Sequence, residues 1–342
     1  MTVLQPPQPL FEWLNFHHPA VRDLAFALAS PPLLGYWPTE FAPHRTIELP
    51  DNQFWQSHYQ RYLPRLRALD DDPTELNQSL AKLSSSRLGI RFEALLSFWL
   101  NDHSNHWHDF ELLAKNIQLK DEKRTIGEVD FIIENKLTHE IEHWELSLKF
   151  YLGEGALQPY EWRGLNDRDT FGRKIKHTLQ KQFNVDRIHL PELGEKTINK
   201  RVAIFKGRLF YPDQVLDSAK ESLANWLHPD HLQGTWGYQL PSEINWRRAA
   251  RREWLTPEPT PLQQIKPTYL IHGLYLGTPI EQAIDDQINP IERMIRVPSH
   301  NYPYRKTYTV PTNCKPIAQK QIYTCWLFTK RYVAATSCHL FG

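Results

Sequence analysis

Two acidic residues, Asp130 and Glu145, lie in consecutive segments whose patterns predict β-strands. Residues 126–133 (IGEVDFII) form a short apolar run, and residues 143–152 (HWELSLKFYL) alternate strictly between apolar and polar side chains. Residues 135–142 predict a hairpin loop, which would bring the two carboxylates to one face of a sheet. Paired carboxylates are hard oxygen ligands for Mg²⁺ or Mn²⁺, and a cation held in this way assists phosphodiester hydrolysis.

The order of these residues, GEVD followed by a loop, an acidic residue and a lysine on the next strand, resembles the PD-(D/E)XK nuclease superfamily. The preceding segment, residues 88–100 (LGIRFEALLSFWL), is similar to the first core helix of that superfamily, where a glutamate often joins the metal ligands. The resemblance implies that Asp130 and Glu145 hold Mg²⁺ or Mn²⁺, that Glu93 is a candidate third ligand, and that the substrate is DNA. It also implies an α/β fold with a mixed sheet flanked by helices.

Four segments together resemble the bacterial family catalogued as domain of unknown function 1853, which looks like a member of the same superfamily. They are SPPLL from Ser30, LGIRFEALLSFWL, HWELSLKFYLG and RDTFGRKIKHTLQKQ. The resemblance covers residues 20–255. We accordingly expect an N-terminal helical and loop region packing on the core, the core itself and a C-terminal extension, at residues 1–72, 73–255 and 256–342.

The lysine of the superfamily pattern lies two residues beyond the second acid, and in this chain that position is Ser147. Lys149 lies four residues beyond Glu145, so their Cα atoms would be ~13 Å apart along a strand, against roughly 6.6 Å for the usual spacing. Lys149 is therefore a weak candidate for activating water. Either a base from a nearby helix, with Lys174 as the candidate, has taken that role, or the site has lost catalysis.

An arginine-rich segment, residues 245–254 (NWRRAARREW), is a candidate DNA-binding element. On a helix its arginines would form one cationic stripe suited to phosphate oxygens; they are Arg247, Arg248, Arg251 and Arg252. The alternative is a solvated helix face that pairs with Glu243 and Glu253. A second basic set follows the predicted active-site strands and comprises Arg163, Arg168, Arg173, Lys174, Lys176, His177 and Lys181.

Each candidate ligand also has an ordinary structural explanation. Antiparallel strands commonly alternate without any catalytic reason, so Asp130 and Glu145 could both face solvent. Glu93 could be a helix-surface residue. The histidines at 103, 106 and 108 do not share one helical face and lack an accompanying cysteine, which argues against a zinc site. Glycine-rich phosphate loops and the GxSxG elbow are absent from the sequence.

The bulk properties predict a cytoplasmic globular protein. The net charge is +1, so binding to nucleic acid would need a local basic patch. The three cysteines, Cys314, Cys325 and Cys338, fit neither a disulfide framework nor a zinc knuckle. The first thirty residues do not predict a signal sequence, and no apolar run reaches the ~20 residues that would span a bilayer. Most of the twelve tryptophans are expected in the core.

The remaining periodic patterns predict the elements that position these residues. We expect helices at residues 20–29, 55–63, 74–100, 169–183 and 215–227, and a further strand at 201–210. Pro64 should end the second helix, Gly89 should kink or divide the third, and Asp169 is the expected N-cap of the fourth.

Three functional hypotheses follow from these patterns. The first is a Mg²⁺-dependent nuclease, or nuclease-like protein, that hydrolyses DNA. The second is a nuclease fold that has lost catalysis and serves as a nucleic-acid-binding or scaffold protein, for which Ser147 is the best support. The third is a protein–protein adaptor that uses exposed aromatic side chains.

Overall fold

The computed structural model describes residues 11–121, 124–166, 168–212, 224–241, 244–257, 273–279 and 291–296. Its helices are α1 (Pro19–Ala29), α2 (Asn52–Asp71), α3 (Thr74–Ala81), α4 (Leu88–Leu100) and α5 (Phe171–His177), the last continued by a π-helical turn at Thr178–Gln182. Its strands are β1 (Phe110–Asp121), β2 (Arg124–Asn135), β3 (Glu140–Gly153), β4 (Trp162–Arg163), β5 (Arg187–Leu190), β6 (Gly194–Thr197), β7 (Lys200–Pro212), β8 (Gln233–Gly237), β9 (Ile244–Arg248), β10 (Gly273–Pro279) and β11 (Ile291–Ile295).

A large mixed sheet organises the described part of the chain. Its strands lie in the order β1-β2-β3-β7-β8-β11-β10-β9, with β4 added to β3, while β5 and β6 form a separate hairpin. The strands β1, β2 and β3 form an antiparallel meander, and β7 then pairs in parallel with β3 after the chain has crossed through α5. Strand β8 is parallel to both β7 and β11. The prediction of an α/β fold with a mixed sheet flanked by helices is confirmed at this level.

Helices cover both faces of the central strands. On one face α1, α2 and α4 pack on apolar side chains of β2, β3 and β7, and α1 is buried along its whole length from Ala20 to Ala29. On the other face Phe171 and Ile175 of α5 pack against Phe205 of β7. Most of the described tryptophans are buried, as predicted. Because both faces are covered, the polar residues of β3 do not lie on a solvated surface.

A lysine of β7, Lys206, lies entirely within this core. Its ammonium group donates to the carbonyl oxygens of Ala27 at 2.8 Å and Leu28 at 2.9 Å, near the C-terminal end of α1. It also lies 3.7 Å from the centre of the Trp55 ring of α2. The negative end of a helix dipole and an aromatic face both stabilise a cation, so these contacts oppose the burial that lowers the pKa of Lys206 well below its ordinary value.

The predicted end of the second helix at Pro64 is wrong. Helix α2 continues through Pro64 to Asp71. A proline leaves the carbonyl four residues earlier without its helical donor, but that residue, Gln60, is exposed and water can hydrogen-bond to it. Beyond the proline, Leu66 and Leu69 are buried against the core, and this packing favours continuation of the helix.

The helical pattern at 74–100 is divided, but the division is not at Gly89. The chain leaves the helix between α3 and α4 at residues 82–87, which include three consecutive serines. Serine hydroxyls compete with helical hydrogen bonds, as when Ser85 accepts from the backbone N–H of Arg87 at 3.3 Å. Gly89 lies in the first turn of α4.

Strand β1 was not predicted, because its apolar residues do not alternate regularly. Its pairing with β2 shifts register between Leu112 and Ala114, and Asn116 adopts a positive φ of 54°. A bulge places an extra residue in one strand, which breaks the two-residue period by which a strand is recognised. The predicted strands at 126–133, 143–152 and 201–210 correspond to β2, β3 and β7.

Some predictions fall on residues outside those described. Most of the expected helix at 215–227 and the three cysteines belong to this part of the chain. The proposed three-part division stays a prediction, although β10 and β11, beyond residue 256, pair in the same sheet as β8 and β9. No helix among the described segments is long and apolar enough to cross a membrane.

Candidate active site

The hydrogen-bonded ladder between strands β2 and β3 ends at the predicted acidic pair. Their ladder runs from Asn135 opposite Glu140 to Phe131 opposite Trp144, and Asp130 is the next residue of β2. Its carboxylate Oδ2 accepts the backbone N–H of Leu146 at 2.7 Å. The side chain of Asp130 thus takes the position that a backbone carbonyl of the ladder would otherwise occupy. The carboxyl group of Asp130 lies beside the carboxyl group of Glu145 on β3.

Glu145 is buried, with a relative exposure of 2%. Its Oε1 lies 2.7 Å from Nε2 of His143, two residues earlier on the same face of β3. Its Oε2 accepts a hydrogen bond from the side-chain amide of Gln182. The interpretation of Glu145 as a solvent-facing strand residue is therefore wrong, because α5 and its π-helical turn cover that face of the sheet.

The segment after β3 brings a lysine and a glutamine to this carboxyl. The N-cap of α5 is Thr170, whose Oγ1 accepts from the backbone N–H of Arg173 at 3.3 Å, and not the predicted Asp169. Lys174 donates to Oε1 of Gln182 at 3.0 Å. Thr178 donates to the same oxygen at 2.8 Å, so the amide of Gln182 is oriented with its NH₂ group towards Glu145.

The three predicted ligands share one electrostatic environment that disfavours their charge. Burial and the neighbouring Glu145 raise the pKa of Asp130 to about 7. Burial raises the pKa of Glu145 to about 8, against the attraction of Lys174. Burial and the charge of Asp130 raise the pKa of Glu93, on α4, to about 7. Burial lowers the pKa of Lys174.

The donor set suits a hard divalent cation in part. Asp130 and Glu145 present carboxyl oxygens side by side, with Lys174 as the cation among them. However, the described residues contain no group of three or more histidine, cysteine, aspartate or glutamate side chains close enough together to hold a metal ion. Asp130 and Glu145 therefore lie together in the structure. Glu93 interacts with this pair at longer range, through the charge of Asp130.

The side chain of Lys149 is directed to another partner. Its ammonium group pairs with Asp169 at 2.8 Å and lies 5.6 Å from the ring centre of Tyr151. Tyr151 donates to the same carboxylate at 3.1 Å, which explains why Asp169 does not cap α5. Ser147, between Glu145 and Lys149 on this face, has a buried hydroxyl with no hydrogen-bond partner among the residues described.

The predicted arginine stripe does not form. Residues 244–248 are strand β9 and residues 251–254 form a 3₁₀ turn, so no helix aligns the four arginines. Arg247 pairs with Glu253 at 2.6 Å, and Arg251 stacks on Trp254 at 4.7 Å. Strand β9 is five positions from β3 in the sheet, or about 24 Å at the usual strand spacing.

Residues 22–283 match the model of a protein family described as Domain of unknown function (DUF1853). This match includes more than half of the chain. The chain belongs to the DUF1853 family. The matched range contains all four segments that resemble this family in the sequence. No curated protein and no solved structure matches the chain.

The DUF1853 match contains every residue of the acidic site. Glu93, Asp130, Glu145 and Lys174 all lie inside it, on α4, β2, β3 and α5. It also extends past the predicted end at residue 255 to include β10, although not β11. Strands β1 to β10, helices α2 to α5 and all of α1 after its first three residues therefore lie inside the matched range.

Two residues that contact Glu145 were not predicted from the sequence. Gln182 gave no signal, because its role depends on the π-helical turn that directs it back towards Lys174. His143 could have been found, since it precedes Glu145 by two residues and therefore shares its face of β3. Burial lowers the pKa of His143 to about 3, so it is neutral beside Glu145.

The raised carboxyl pKa values predict a specific dependence of stability on pH. The folded-state pKa of Asp130, about 7, exceeds its ordinary value of 3.8, so the folded protein binds this proton more tightly than the unfolded chain does. This contribution is complete below pH ~4 and is lost as pH rises to ~8. In cation-free buffer we expect Asp130→Asn to be more stable than wild type by on the order of 2 kcal/mol at pH 8, and equally stable near pH 4.

Urea unfolding of both proteins across this pH range tests the prediction, because groups remote from Asp130 titrate alike in the two proteins. The carboxyls of Glu93 and Glu145 interact with that of Asp130, so their response is part of the measured difference. A difference in unfolding free energy that does not change with pH would contradict it.

Proposed function

We propose that this protein is a divalent-cation-dependent phosphodiesterase of the PD-(D/E)XK type that hydrolyses DNA. The observation that carries the proposal is that Asp130 and Glu145, from neighbouring strands, lie together in a site where neither is paired with an arginine of the described segments and where both pKa values are raised. Strongly perturbed carboxyls in a shared site are typical of functional centres. The glutamate on the preceding helix, Glu93, and the mixed sheet flanked by helices agree with what the superfamily resemblance implies.

Asp130 and Glu145 would hold the cation, with Mg²⁺ or Mn²⁺ as the suitable ions. Magnesium is commonly bound through one or two carboxylates together with substrate phosphate oxygens and water. A two-carboxylate site is therefore sufficient when DNA supplies the remaining ligands. A bound divalent cation supplies Lewis-acid activation of water and stabilises the charge that develops on the phosphoryl group.

Lys174 is the candidate for orienting the attacking water, in place of the strand lysine that Ser147 replaces. Its charge interacts with both Glu145 and Asp130, and burial lowers its pKa, which favours exchange of its proton. Lys149, by contrast, is engaged by Asp169. His143 and Gln182 hold Glu145 in position through its two carboxylate oxygens.

The first test is nicking of supercoiled DNA by the wild-type protein, which we expect with Mg²⁺ or Mn²⁺ and not with EDTA. In the same assay Lys174→Met should lower the cleavage rate by about a hundredfold or more, the usual contribution of a positioned acid–base group. Lys149→Met is the matched control and should retain the rate within about threefold, since it removes a lysine from outside the acidic pair. The assignment to Lys174 fails if Lys149→Met loses cleavage and Lys174→Met does not.

A second candidate function is nucleic-acid binding without hydrolysis, on a nuclease-like fold. It is favoured by Ser147, whose buried hydroxyl stands at the lysine position of the superfamily pattern. Under this candidate the wild-type protein would bind DNA with the same affinity in Mg²⁺ and in EDTA and would cleave none. Cleavage that depends on the cation would exclude it.

A further inference from the structure

We propose that the outer face of α5 and its π-helical turn binds the phosphate backbone of DNA. This surface, here called the α5 basic face, consists of Arg173, Lys176, His177 and Lys181. The proposal rests on the proposed function, since it places the DNA against the helical segment that also carries Lys174 and Gln182 of the candidate active site. It assigns the contact to a surface next to the acidic pair, in place of the arginines of β9.

One helical segment has two chemically different sides. The side chains of Lys174 and Gln182 reach inwards to the candidate active site. The four residues of the α5 basic face are all exposed. Their spacings of three, four and eight residues from Arg173 place them on one side of a helix. A backbone lying along that side would be about 10 Å, one helix diameter, from the acidic pair, so the phosphates it presents to this face anchor the DNA and are not the one that is cleaved.

The positive charge of this face is not balanced locally. The sequence contains no acidic residue from 170 to 185. The carboxylate before it, Asp169, is occupied by Lys149 and Tyr151, and the one after it, Asp186, by Arg45 and Arg201.

Lys176 and Lys181 make no ion pair with any other residue in the described ranges. In a chain whose net charge is only +1, this is a concentration of uncompensated cations.

Two arginines of α2 show the opposite arrangement, because each has a carboxylate partner. On α2, Arg61 pairs with Asp109 at 2.6 Å and Arg65 pairs with Asp102 at 2.7 Å. Such pairs stabilise a surface without leaving charge for a partner. Within the described ranges the α5 basic face lacks such pairs, so its cations are available to a polyanion, and nucleic acid is the polyanion whose phosphodiester bonds the adjacent site would hydrolyse.

The dimensions also agree with a nucleic-acid strand. Arg173 and Lys181 are eight residues apart, which corresponds to about 12 Å along a helix. That length covers roughly three to four nucleotides at the axial rise of a DNA strand. The face is therefore long enough to contact several successive phosphates of one strand, which gives a measurable salt dependence.

The test is fluorescence anisotropy with a short labelled DNA duplex and with a single strand of the same sequence, in EDTA so that no cleavage occurs. For the double variant Lys176→Gln/Lys181→Gln we expect binding weaker by about tenfold to a hundredfold. The slope of log affinity against log salt concentration should fall by about two, one for each lost phosphate contact.

The matched control is Arg67→Gln/Lys82→Gln, which removes two exposed cations from the helical layer on the opposite face of the sheet. It should bind as the wild type does.

Three outcomes separate this proposal from the proposed function. Loss of DNA binding in the α5 variant, whether or not the wild type cleaves DNA, supports the surface. Unchanged binding and salt slope in that variant overturn it, and leave the proposed hydrolysis to be judged by cleavage alone. Binding of the wild type to vesicles that contain phosphatidylserine, lost in the variant while DNA binding is retained, also overturns it and assigns the face to a membrane surface.

Discussion

Asp130→Asn is expected to abolish Mg²⁺-dependent DNA cleavage, with a loss of about a thousandfold or more, or about 4 kcal/mol of transition-state stabilisation. The substitution removes the negative charge that a divalent cation requires. It keeps an oxygen that can accept the N–H of Leu146, so the divergence of β2 from β3 is preserved. Cleavage of supercoiled DNA under saturating Mg²⁺ measures the effect, and calorimetric titration of Mg²⁺ into each protein shows whether cation binding is lost with it.

Glu128→Gln is the matched control for that experiment. Glu128 is exposed two residues earlier on the same strand and accepts a hydrogen bond from Asn116 at 3.1 Å. It should cleave at the wild-type rate. The urea unfolding of Asp130→Asn described above shows whether inactivity of this variant comes from unfolding, and we expect that it does not. Cleavage by Asp130→Asn at the wild-type rate would refute the assignment of the acidic pair.

Gly207→Ala is expected to prevent the protein from folding. Gly207 has a φ of 131°, which side-chain-bearing residues rarely adopt, and an added Cβ would lie 1.8 Å from the carbonyl oxygen of Lys149 on β3. Neither strand can withdraw, because β3 and β7 are paired along their whole central length and covered on both faces. The cost should exceed about 4 kcal/mol, a large part of the stability of an ordinary domain.

Circular dichroism and urea unfolding of purified protein measure this effect. Gly127→Ala, on β2, is the control, since its Cβ would meet only the side chain of Leu119 at an ordinary 3.6 Å. It should fold with a stability within about 1 kcal/mol of wild type. A Gly207→Ala protein with wild-type stability would mean that β3 and β7 do not approach as closely as described.

The sequence predicted the strands of the site well because alternation is a local property. The period of β3 correctly assigned Glu145, Ser147 and Lys149 to one face. It could not show whether that face was buried, since this depends on where α5 packs after the chain has left the strand. The burial of residues 142–147 on both faces is therefore a tertiary property that no two-residue period records.

The prediction of a helical arginine stripe was wrong for a related reason. Positions i, i+1, i+4 and i+5 form a stripe only if the segment is helical, and pairing with β10 makes residues 244–248 a strand. From the sequence, a catalytic role of Lys174 was only one of two alternatives, the other being a site that has lost catalysis. Its neighbours Arg173 and Lys176 are also basic residues. Only the orientation of α5 on the sheet distinguishes the inward-facing Lys174 from these two exposed cations.

The buried Lys206 limits how the protein can be dissected. A fragment that begins at residue 73 would retain Glu93, Asp130 and Glu145, yet it would lack both carbonyl acceptors of this lysine and the Trp55 ring beside it. The lysine would remain on a sheet face whose other side chains, such as Trp144, are apolar and would be newly exposed. The first two helices therefore act as an intramolecular folding partner of the part of the chain that carries the acidic pair, and a shortened version would have to supply them in trans or redesign that sheet face.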